Sequence, residues 1–214
     1  MLYPVHWLLS LLASVLRLGA GRGGAEPVTG KALPTLYEFE ACPWCRIARE
    51  AISETGLSVL VRPCPKGGKR FRPEVQALGG KAQFPYLVDG ESGEGIYESA
   101  AIAKLMRQEY QTSRPLVHWF GPLNGILSSY AVLLRLAAGG RARASKQQEG
   151  PLEFYGAEAN PAARLVKEQL CALELEYIWH TGEGSAVRLF DPASKADIRG
   201  ARSARAYLRR TYKV

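Results

Sequence analysis

Residues 35–50 have the sequence TLYEFEACPWCRIARE, and this stretch decides the fold. Thr35–Phe39 is rich in aromatic and β-branched side chains, which is typical of a short strand. An amphipathic helix is predicted from Pro43 onward, because proline suits the first helical turn, where its missing N–H would be unpaired anyway. The pattern therefore predicts a strand that leads into a helix, with Cys42 and Cys45 at the junction.

The residues that follow alternate between predicted strands and helices. We expect the first helix to end near Thr55, followed by a strand at Leu57–Arg62, a helix near Arg72–Leu78, strands at Tyr86–Val88 and Ile96–Tyr97, and a helix at Glu98–Tyr110. This order combines a parallel crossover with an antiparallel hairpin. The sequence thus predicts an α/β domain with a mixed sheet over residues 34–111.

The two cysteines at the junction form a CxxC motif. Cys42 would lie beside unpaired N–H groups at the positive end of the helix, which favours the thiolate over the thiol. Cys45, one turn later, could attack a mixed disulfide on Cys42, so we predict a nucleophile and a resolving thiol. A zinc site would need a second pair, whereas Cys64 and Cys171 are isolated, so no metal is expected. A purely structural cysteine pair is the remaining alternative.

The chain also repeats itself. Pro34–Glu50 aligns without gaps on Leu152–Glu168, and Tyr86–Tyr110 aligns on Arg188–Tyr212. The second copy is about sixteen residues shorter between the two blocks, a difference obtained from these alignments. We therefore predict a complete first module and a shortened second module over residues 151–214.

The segment before the first module, residues 1–33, contains an apolar run at Trp7–Leu16 and no acid before Glu26. Three interpretations stay open: a secretory signal peptide, an organelle transit peptide, and a helix of the mature protein that packs on the domain. The run is shorter than the roughly 18 apolar residues of a membrane span.

The segment between the modules, residues 112–150, opens with an uncharged apolar stretch at 116–134. Its length could cross a bilayer, but Gly121-Pro122 interrupts it. We expect a helical connector buried against a domain, with membrane association as the alternative. Ala137–Gly150 is polar and rich in small residues, and we expect a flexible linker there.

Composition narrows the classes of function. The 214 residues include 28 Lys+Arg and 20 Asp+Glu, so the formal net charge is +8. A positive surface favours anionic partners, among them anionic lipid, nucleic acid and carboxylate ligands, without selecting one. Hydrophobic residues make up 47% of the chain, which argues against disorder throughout, and four cysteines are too few for a disulfide-stapled secreted scaffold.

Four stretches together carry a family resemblance: TLYEFEACPWCRIARE, PCPKGG at 63–68, GGKAQFPYLVD at 79–89 and YESAAIAKLM at 97–106. They resemble the glutaredoxin-like, glutathione S-transferase N-terminal type of thioredoxin fold. More narrowly, the chain resembles plant and algal plastid proteins that carry two such modules in tandem. The resemblance implies a location in the chloroplast, with glutathione as co-substrate, disulfide-bearing proteins as partners, and no nucleic-acid partner.

The resemblance also implies roles for residues outside the CxxC motif. Pro85 corresponds to a cis proline that faces the active cysteine, and the backbone of Phe84 would pair with the cysteinyl part of glutathione. Glu98 and Ser99 correspond to the γ-glutamyl site, where a helix N-terminus and a hydroxyl supply donors for a carboxylate. Basic residues at 69–72 would either hold the glycyl carboxylate or form a solvated surface.

The second module lacks these groups. Asn160 replaces Cys42, Ala163 replaces Cys45, and the shortened segment spans the equivalent of Phe84-Pro85. We therefore predict no thiol chemistry there.

The predicted function is a glutathione-linked thiol–disulfide oxidoreductase that acts through CPWC. Two alternatives stay open: a non-catalytic adaptor with a thioredoxin fold, and a single-thiol isomerase or transferase that resembles the prostaglandin E synthase type.

Overall fold

A computed structural model describes residues 3–23, 26–182 and 186–214. Parts of the predicted leader (1–2 and 24–25) and of the predicted second module (183–185) lie outside the described residues. The helices are α1 (Tyr3–Leu16), α2 (Pro43–Ser53), α3 (Arg72–Gly79), α4 (Ser99–Tyr110), α5 (Pro122–Leu134), α6 (Pro161–Ala172) and α7 (Ala201–Tyr212), with a 3₁₀ helix at Leu116–Phe120. The strands are β1 (Thr35–Glu38), β2 (Ser58–Pro63), β3 (Tyr86–Val88), β4 (Gly95–Tyr97), β5 (Leu152–Tyr155), β6 (Tyr177–His180), β7 (Arg188–Asp191) and β8 (Ala196–Arg199).

The strands form one mixed sheet in the order β4-β3-β1-β2-β6-β5-β7-β8. In its first half, β1 pairs parallel with β2 and antiparallel with β3, and β3 pairs antiparallel with β4. A mixed sheet with flanking helices confirms the predicted α/β class and is consistent with a thioredoxin-like fold.

The second half of the sheet has the same pairing directions as the first. β5 pairs parallel with β6 and antiparallel with β7, and β7 pairs antiparallel with β8. The two halves meet where β2 pairs antiparallel with β6, with Val59 opposite Trp179. Within the described residues, no helix corresponding to α3 separates β6 from β7.

Successive side chains of β1 point to opposite faces of the sheet and pack in two different hydrophobic clusters. Leu36 belongs to the main core with residues of α2 such as Ile52, whereas Tyr37 packs in a smaller cluster with Val75 of α3. Successive side chains of a strand point to opposite faces. The helix α3 therefore covers the face of the sheet opposite α2.

Two element boundaries differ from the expected ones. The helix that begins at Pro43 ends at Ser53 rather than Thr55, because the N–H of Glu54 caps the last turn on Ala51 and Ile52. The last helix of the first half begins at Ser99 rather than Glu98, whose φ of 71° is outside the helical range.

The apolar stretch at 116–134 is divided into the 3₁₀ helix and α5 by Gly121, which has a φ of 55°. None of the described helices combines the length and the hydropathy that a membrane crossing requires.

The segment after α5 is attached to the rest of the protein by backbone hydrogen bonds. The N–H of Lys66 donates to the carbonyl of Gly140 (2.8 Å), and that of Arg143 donates to Ala172 (2.7 Å). The first part of the segment at 137–150, expected from its sequence to be a flexible linker, is thus fixed to both halves of the sheet.

The helices α1 and α5 make matching contacts. Ser10 of α1 donates to the carbonyl of Pro161 (2.9 Å), and Ser128 of α5 donates to that of Pro43 (2.7 Å). Ser10 and Ser128 are separated by the same number of positions as Pro43 and Pro161. Each helix therefore packs on the first turn of a helix in the other half of the sheet.

A cluster of buried charges joins the two halves. The guanidinium of Arg49 on α2 contacts Glu40 (3.1 Å), Glu158 (3.2 Å) and Glu38, and Lys167 on α6 contacts Glu158. All five side chains are buried. Such groups are stable inside a protein only when they compensate one another.

Because Arg49 contacts three buried carboxyl groups, its replacement should destabilise the fold strongly. We expect Arg49→Met to lower the free energy of unfolding by about 3–5 kcal/mol, the usual cost of leaving a buried charge without its partner. Urea denaturation followed by circular dichroism measures this change. Lys104→Ala, at an exposed position of α4, is the control and should leave the midpoint nearly unchanged. An Arg49→Met midpoint equal to that of the control would contradict the structural importance of the cluster.

Candidate active site at the start of helix α2

The CPWC sequence lies where β1 leads into α2. The N–H of Cys42 donates to the carbonyl of Phe39 (3.0 Å), which closes a turn, and Cys42 has the extended backbone of a helix N-cap. Its sulfur accepts the N–H of Cys45 at 3.2 Å, in the way that a serine or aspartate oxygen caps a helix. An amide of the first helical turn, that of Cys45, thus donates to the sulfur of Cys42.

This geometry separates the acidities of the two thiols. A hydrogen bond from the Cys45 thiol lowers the pKa of Cys42, and the Cys45 amide adds to this effect against the opposing effect of burial. Burial raises the pKa of Cys45 well above its ordinary value, and the neighbouring Cys42 raises it further. The arrangement favours a thiolate on Cys42 beside a protonated Cys45, which is what thiol–disulfide exchange needs.

The loop that contains Pro85 faces the same sulfur. The peptide bond Phe84–Pro85 is cis, and Cys42 Sγ lies 4.0 Å from the carbonyl oxygen of Phe84. The rings of Phe39 and Phe84 meet edge to face with centroids 6.0 Å apart. The structure therefore brings together Cys42, Cys45 and the Phe84–Pro85 loop. Only 5% of Cys42 is exposed, so access to its sulfur is narrow.

Glu98 and Ser99 lie at the start of α4. Glu98 is exposed and accepts a hydrogen bond from the amide of Gln83 in the loop that contains Pro85. Ser99 is buried and lines a cavity of about 230 Å³, whose wall includes Trp44, Arg107 and other residues. This cavity touches the part of α2 that follows Cys42, and Trp44 is 54% exposed.

A second cavity, of about 730 Å³, touches the residues before Cys42, namely Phe39 and Ala41. Its described wall carries four cationic side chains and no acid: Lys66, Arg72, Arg141 and Arg143. The guanidinium of Arg72 lies 4.8 Å from the ring centroid of Phe84 and donates to the carbonyl oxygens of Cys64 and Pro65. We call this space the cationic cavity. Its charge suits a carboxylate-bearing ligand.

Sequence reasoning missed three of these cations, Lys66, Arg141 and Arg143. The available signal was the stretch between Glu109 and Glu149, which contains arginines and no acid. Of the basic residues predicted at 69–72, Arg70 instead holds backbone carbonyls, including those of Glu174 (3.1 Å) and Lys146 (2.9 Å).

The remaining cysteines lack this environment. All four cysteines are free thiols, and burial raises the pKa of both Cys64 and Cys171. In the second half, Asn160 takes the capping position and accepts the N–H groups of Ala162 (2.8 Å) and Ala163 (3.3 Å). Among the described residues no group of His, Cys, Asp and Glu could hold a metal ion.

The acidity of Cys42 should depend on the side chain at position 45. We expect Cys42 to be alkylated by iodoacetamide with an apparent pKa below that of an ordinary thiol, and Cys45→Ala to raise this value because the thiol donor is lost. Rates across pH, with mass spectrometry of each cysteine-containing peptide, measure the effect. Cys45→Ser, which keeps a hydroxyl donor, is the matched control. An apparent pKa that Cys45→Ala leaves unchanged would show that the side chain at 45 does not tune the nucleophile.

Comparison with known proteins agrees with this geometry. Residues 36–114 match the family model described as the glutathione S-transferase N-terminal domain, which covers 79 of the 214 residues. The matched segment includes both cysteines of CPWC, the Phe84–Pro85 loop and the start of α4. No curated protein and no solved structure matches the chain. The family suggests a glutathione-related function. Residues 36–114 are therefore similar to the glutathione S-transferase N-terminal domain, a family with a thioredoxin fold.

Proposed function

We propose that this protein is a glutathione-linked thiol–disulfide oxidoreductase that acts through Cys42. The observation that carries the proposal is the sulfur of Cys42, which accepts the amide of Cys45 at 3.2 Å and lies 4.0 Å from the carbonyl of Phe84. The lowered pKa of Cys42 supports a nucleophilic thiolate. A backbone carbonyl beside the sulfur supplies an acceptor for the amide of a bound peptide.

The exchange proceeds in two balanced steps. The Cys42 thiolate attacks a glutathione mixed disulfide, forms a sulfur–sulfur bond to the glutathione sulfur and releases the other partner as a thiolate. A second glutathione thiolate then attacks that bond, releases oxidised glutathione and restores the Cys42 thiolate. Alternatively Cys45, after losing its proton, displaces glutathione from Cys42 and leaves an intramolecular disulfide that two further glutathione molecules reduce.

Glutathione has two carboxylates and one ammonium group, and the residues around Cys42 match these charges. Ser99 at the start of α4 supplies a hydroxyl and helix amides for the γ-glutamyl carboxylate, and Glu98 supplies a negative charge for the ammonium. The cationic cavity on the other side of Cys42 receives the glycyl carboxylate. Of the cations in its wall, Arg72 lies against the ring of Phe84, the residue whose carbonyl oxygen is next to the sulfur of Cys42.

We also propose that residues 151–214 are a shortened second module without thiol chemistry, joined to the module at 34–111. The equal pairing directions in both halves of the sheet support this division, as does Asn160 in the capping position. This module contributes Ala172 to the wall of the cationic cavity, and the segment that precedes it contributes Arg141 and Arg143. The leader at 1–33 and the connector at 112–150 each contribute one of the matching helices α1 and α5.

For the cellular location we propose the chloroplast, supported by the resemblance to plastid proteins with tandem modules. The disulfide-bearing protein partners are likewise proposed from this resemblance and from the chemistry of CPWC.

A non-catalytic adaptor is the second candidate, and the low exposure of Cys42 favours it. A sulfur that a disulfide cannot approach would leave the two halves as a binding scaffold. The single-thiol isomerase or transferase is distinguished by Cys45, which that chemistry does not require.

The activity test uses the full chain and a small glutathione mixed disulfide as substrate, with glutathione as reductant. We expect Cys42→Ser to abolish turnover and Cys45→Ser to retain part of it, because a second glutathione can still release the adduct. Arg72→Ala should raise the KM for glutathione about tenfold or more, since a charge-assisted hydrogen bond contributes about 1.5–3 kcal/mol.

Cys171→Ser is the matched control. Cys171 donates a hydrogen bond to the carbonyl of Gly139 and accepts one from the N–H of Glu40. At the corresponding position of α2, Ser53 donates to the carbonyl of Gly21 and accepts from the N–H of Glu158. Serine is thus already accommodated in an equivalent place, and activity should be unchanged. Equal activity of the wild type and Cys42→Ser would contradict the redox function and favour the adaptor.

A further inference from the structure

The helices α1 and α5 expose apolar side chains at matching positions. In each of three pairs, one residue lies on α1 and the other on α5, and the two are separated by the same number of positions as Pro43 and Pro161. Leu8 and Ile126 are 51% and 50% exposed, Leu12 and Tyr130 are 44% and 57% exposed, and Val15 and Leu133 are 61% and 66% exposed. The two helices also pack against each other. Their outward sides therefore form one continuous surface, which we call the apolar face.

The buried sides of the same helices are polar or small. Ser10, Ala13 and Arg17 of the α1 segment are buried, as are their counterparts Ser128, Ala131 and Arg135. Arg17 binds Glu50 and Arg135 binds Glu168. A helix on the surface of a water-soluble domain normally has the opposite distribution, with its apolar side toward the core. An apolar outward side in both helices indicates a surface that is covered in use.

The two chain segments that contain α1 and α5 carry charges of one sign. The sequence has no acid before Glu26 and none between Glu109 and Glu149, and these two stretches contain α1 and α5. Arg22, Arg141 and Arg143 in the same stretches are exposed. The partner of this surface should therefore offer negative charge around an apolar centre.

Two aromatic rings, one in α1 and one in the 3₁₀ helix before α5, each have an arginine over them. Arg114 lies 4.5 Å from the ring centroid of the exposed Trp119, and Arg202 of α7 lies 4.9 Å from that of Tyr3. The helix α7 contains no acid. Aromatic side chains beside cations are characteristic of the headgroup level of a bilayer.

We infer that the apolar face docks the protein onto the surface of an anionic lipid bilayer, with α1 and α5 lying in the plane of the headgroups. A helix of 14 residues is about 21 Å long, less than the roughly 30 Å of a hydrocarbon core, so the contact is interfacial. A second copy of the chain is the poorer occupant. A symmetric dimer through this face would bring its basic border against itself.

Vesicle flotation of the full chain tests the inference. The probes are vesicles of phosphatidylcholine with phosphatidylglycerol and vesicles of phosphatidylcholine alone. We expect the wild type to float with the anionic vesicles, less strongly at high salt and far less with the neutral ones. The double variant Leu12→Glu, Leu133→Glu should bind at least about tenfold more weakly, because it places two charges in the apolar contact.

Leu78→Glu is the matched control, since Leu78 is 59% exposed but lies on α3, on the opposite face of the sheet. It should bind the vesicles as the wild type does. Circular dichroism establishes that each variant is folded. Absence of flotation of the wild type, equal binding to neutral and anionic vesicles, or an equal loss in Leu78→Glu would each overturn the inference. So would a wild-type dimer in vesicle-free buffer that the double variant makes monomeric while flotation is unchanged.

Discussion

The proposed chemistry depends on a sulfur atom, that of Cys42, which takes the place of a helix-capping oxygen. Cys42 is the N-cap of α2, and its sulfur accepts the N–H of Cys45. A thiolate satisfies this amide better than a thiol does, because the acceptor then carries the charge that the helix terminus favours. Cys45 is buried and keeps its proton. A motif of four residues thereby separates the roles of two identical side chains.

The surroundings of this turn hold α2 in position. The carbonyl of Pro43 accepts a hydrogen bond from Ser128 of α5, and Arg49, one turn after Cys45 on α2, contacts the buried charges shared with α6. The two halves of the sheet are thus joined by strand pairing, by α1 and α5, and by buried ion pairs whose separation costs several kcal/mol of free energy. The second half lacks the CxxC thiols, but Ala172 of α6 lines the cationic cavity, and α5 supports the first turn of α2.

Much of this fold could be predicted from local sequence. Strand β1 and the start of α2 follow from the aromatic run and the proline, and the four stretches that carry the resemblance lie within the matched family segment. The matching helices were harder to recognise, because their inward residues are serine, alanine and arginine, and the apolar spacing alone suggested a leader and a connector. Hydrophobic periodicity assigns an apolar side to the core, and here that side faces outward.

The cations of the site were missed for a different reason. Arg141 reaches the cationic cavity because the segment after α5 pairs with Lys66, a contact between residues far apart in the chain. Local patterns carry no information about such a pairing. The γ-glutamyl role of Glu98 and Ser99 comes from the family resemblance and stays a prediction, and the structure places both residues at the start of α4.

The most direct test of the central claim is to treat the reduced full chain with oxidised glutathione and map the modified peptides by mass spectrometry. We expect glutathione to appear first on Cys42 and a Cys42–Cys45 disulfide to follow, with Cys64 and Cys171 unmodified. Glutathione on a buried cysteine before Cys42, or an unmodified Cys42 in a folded chain, would contradict the central claim.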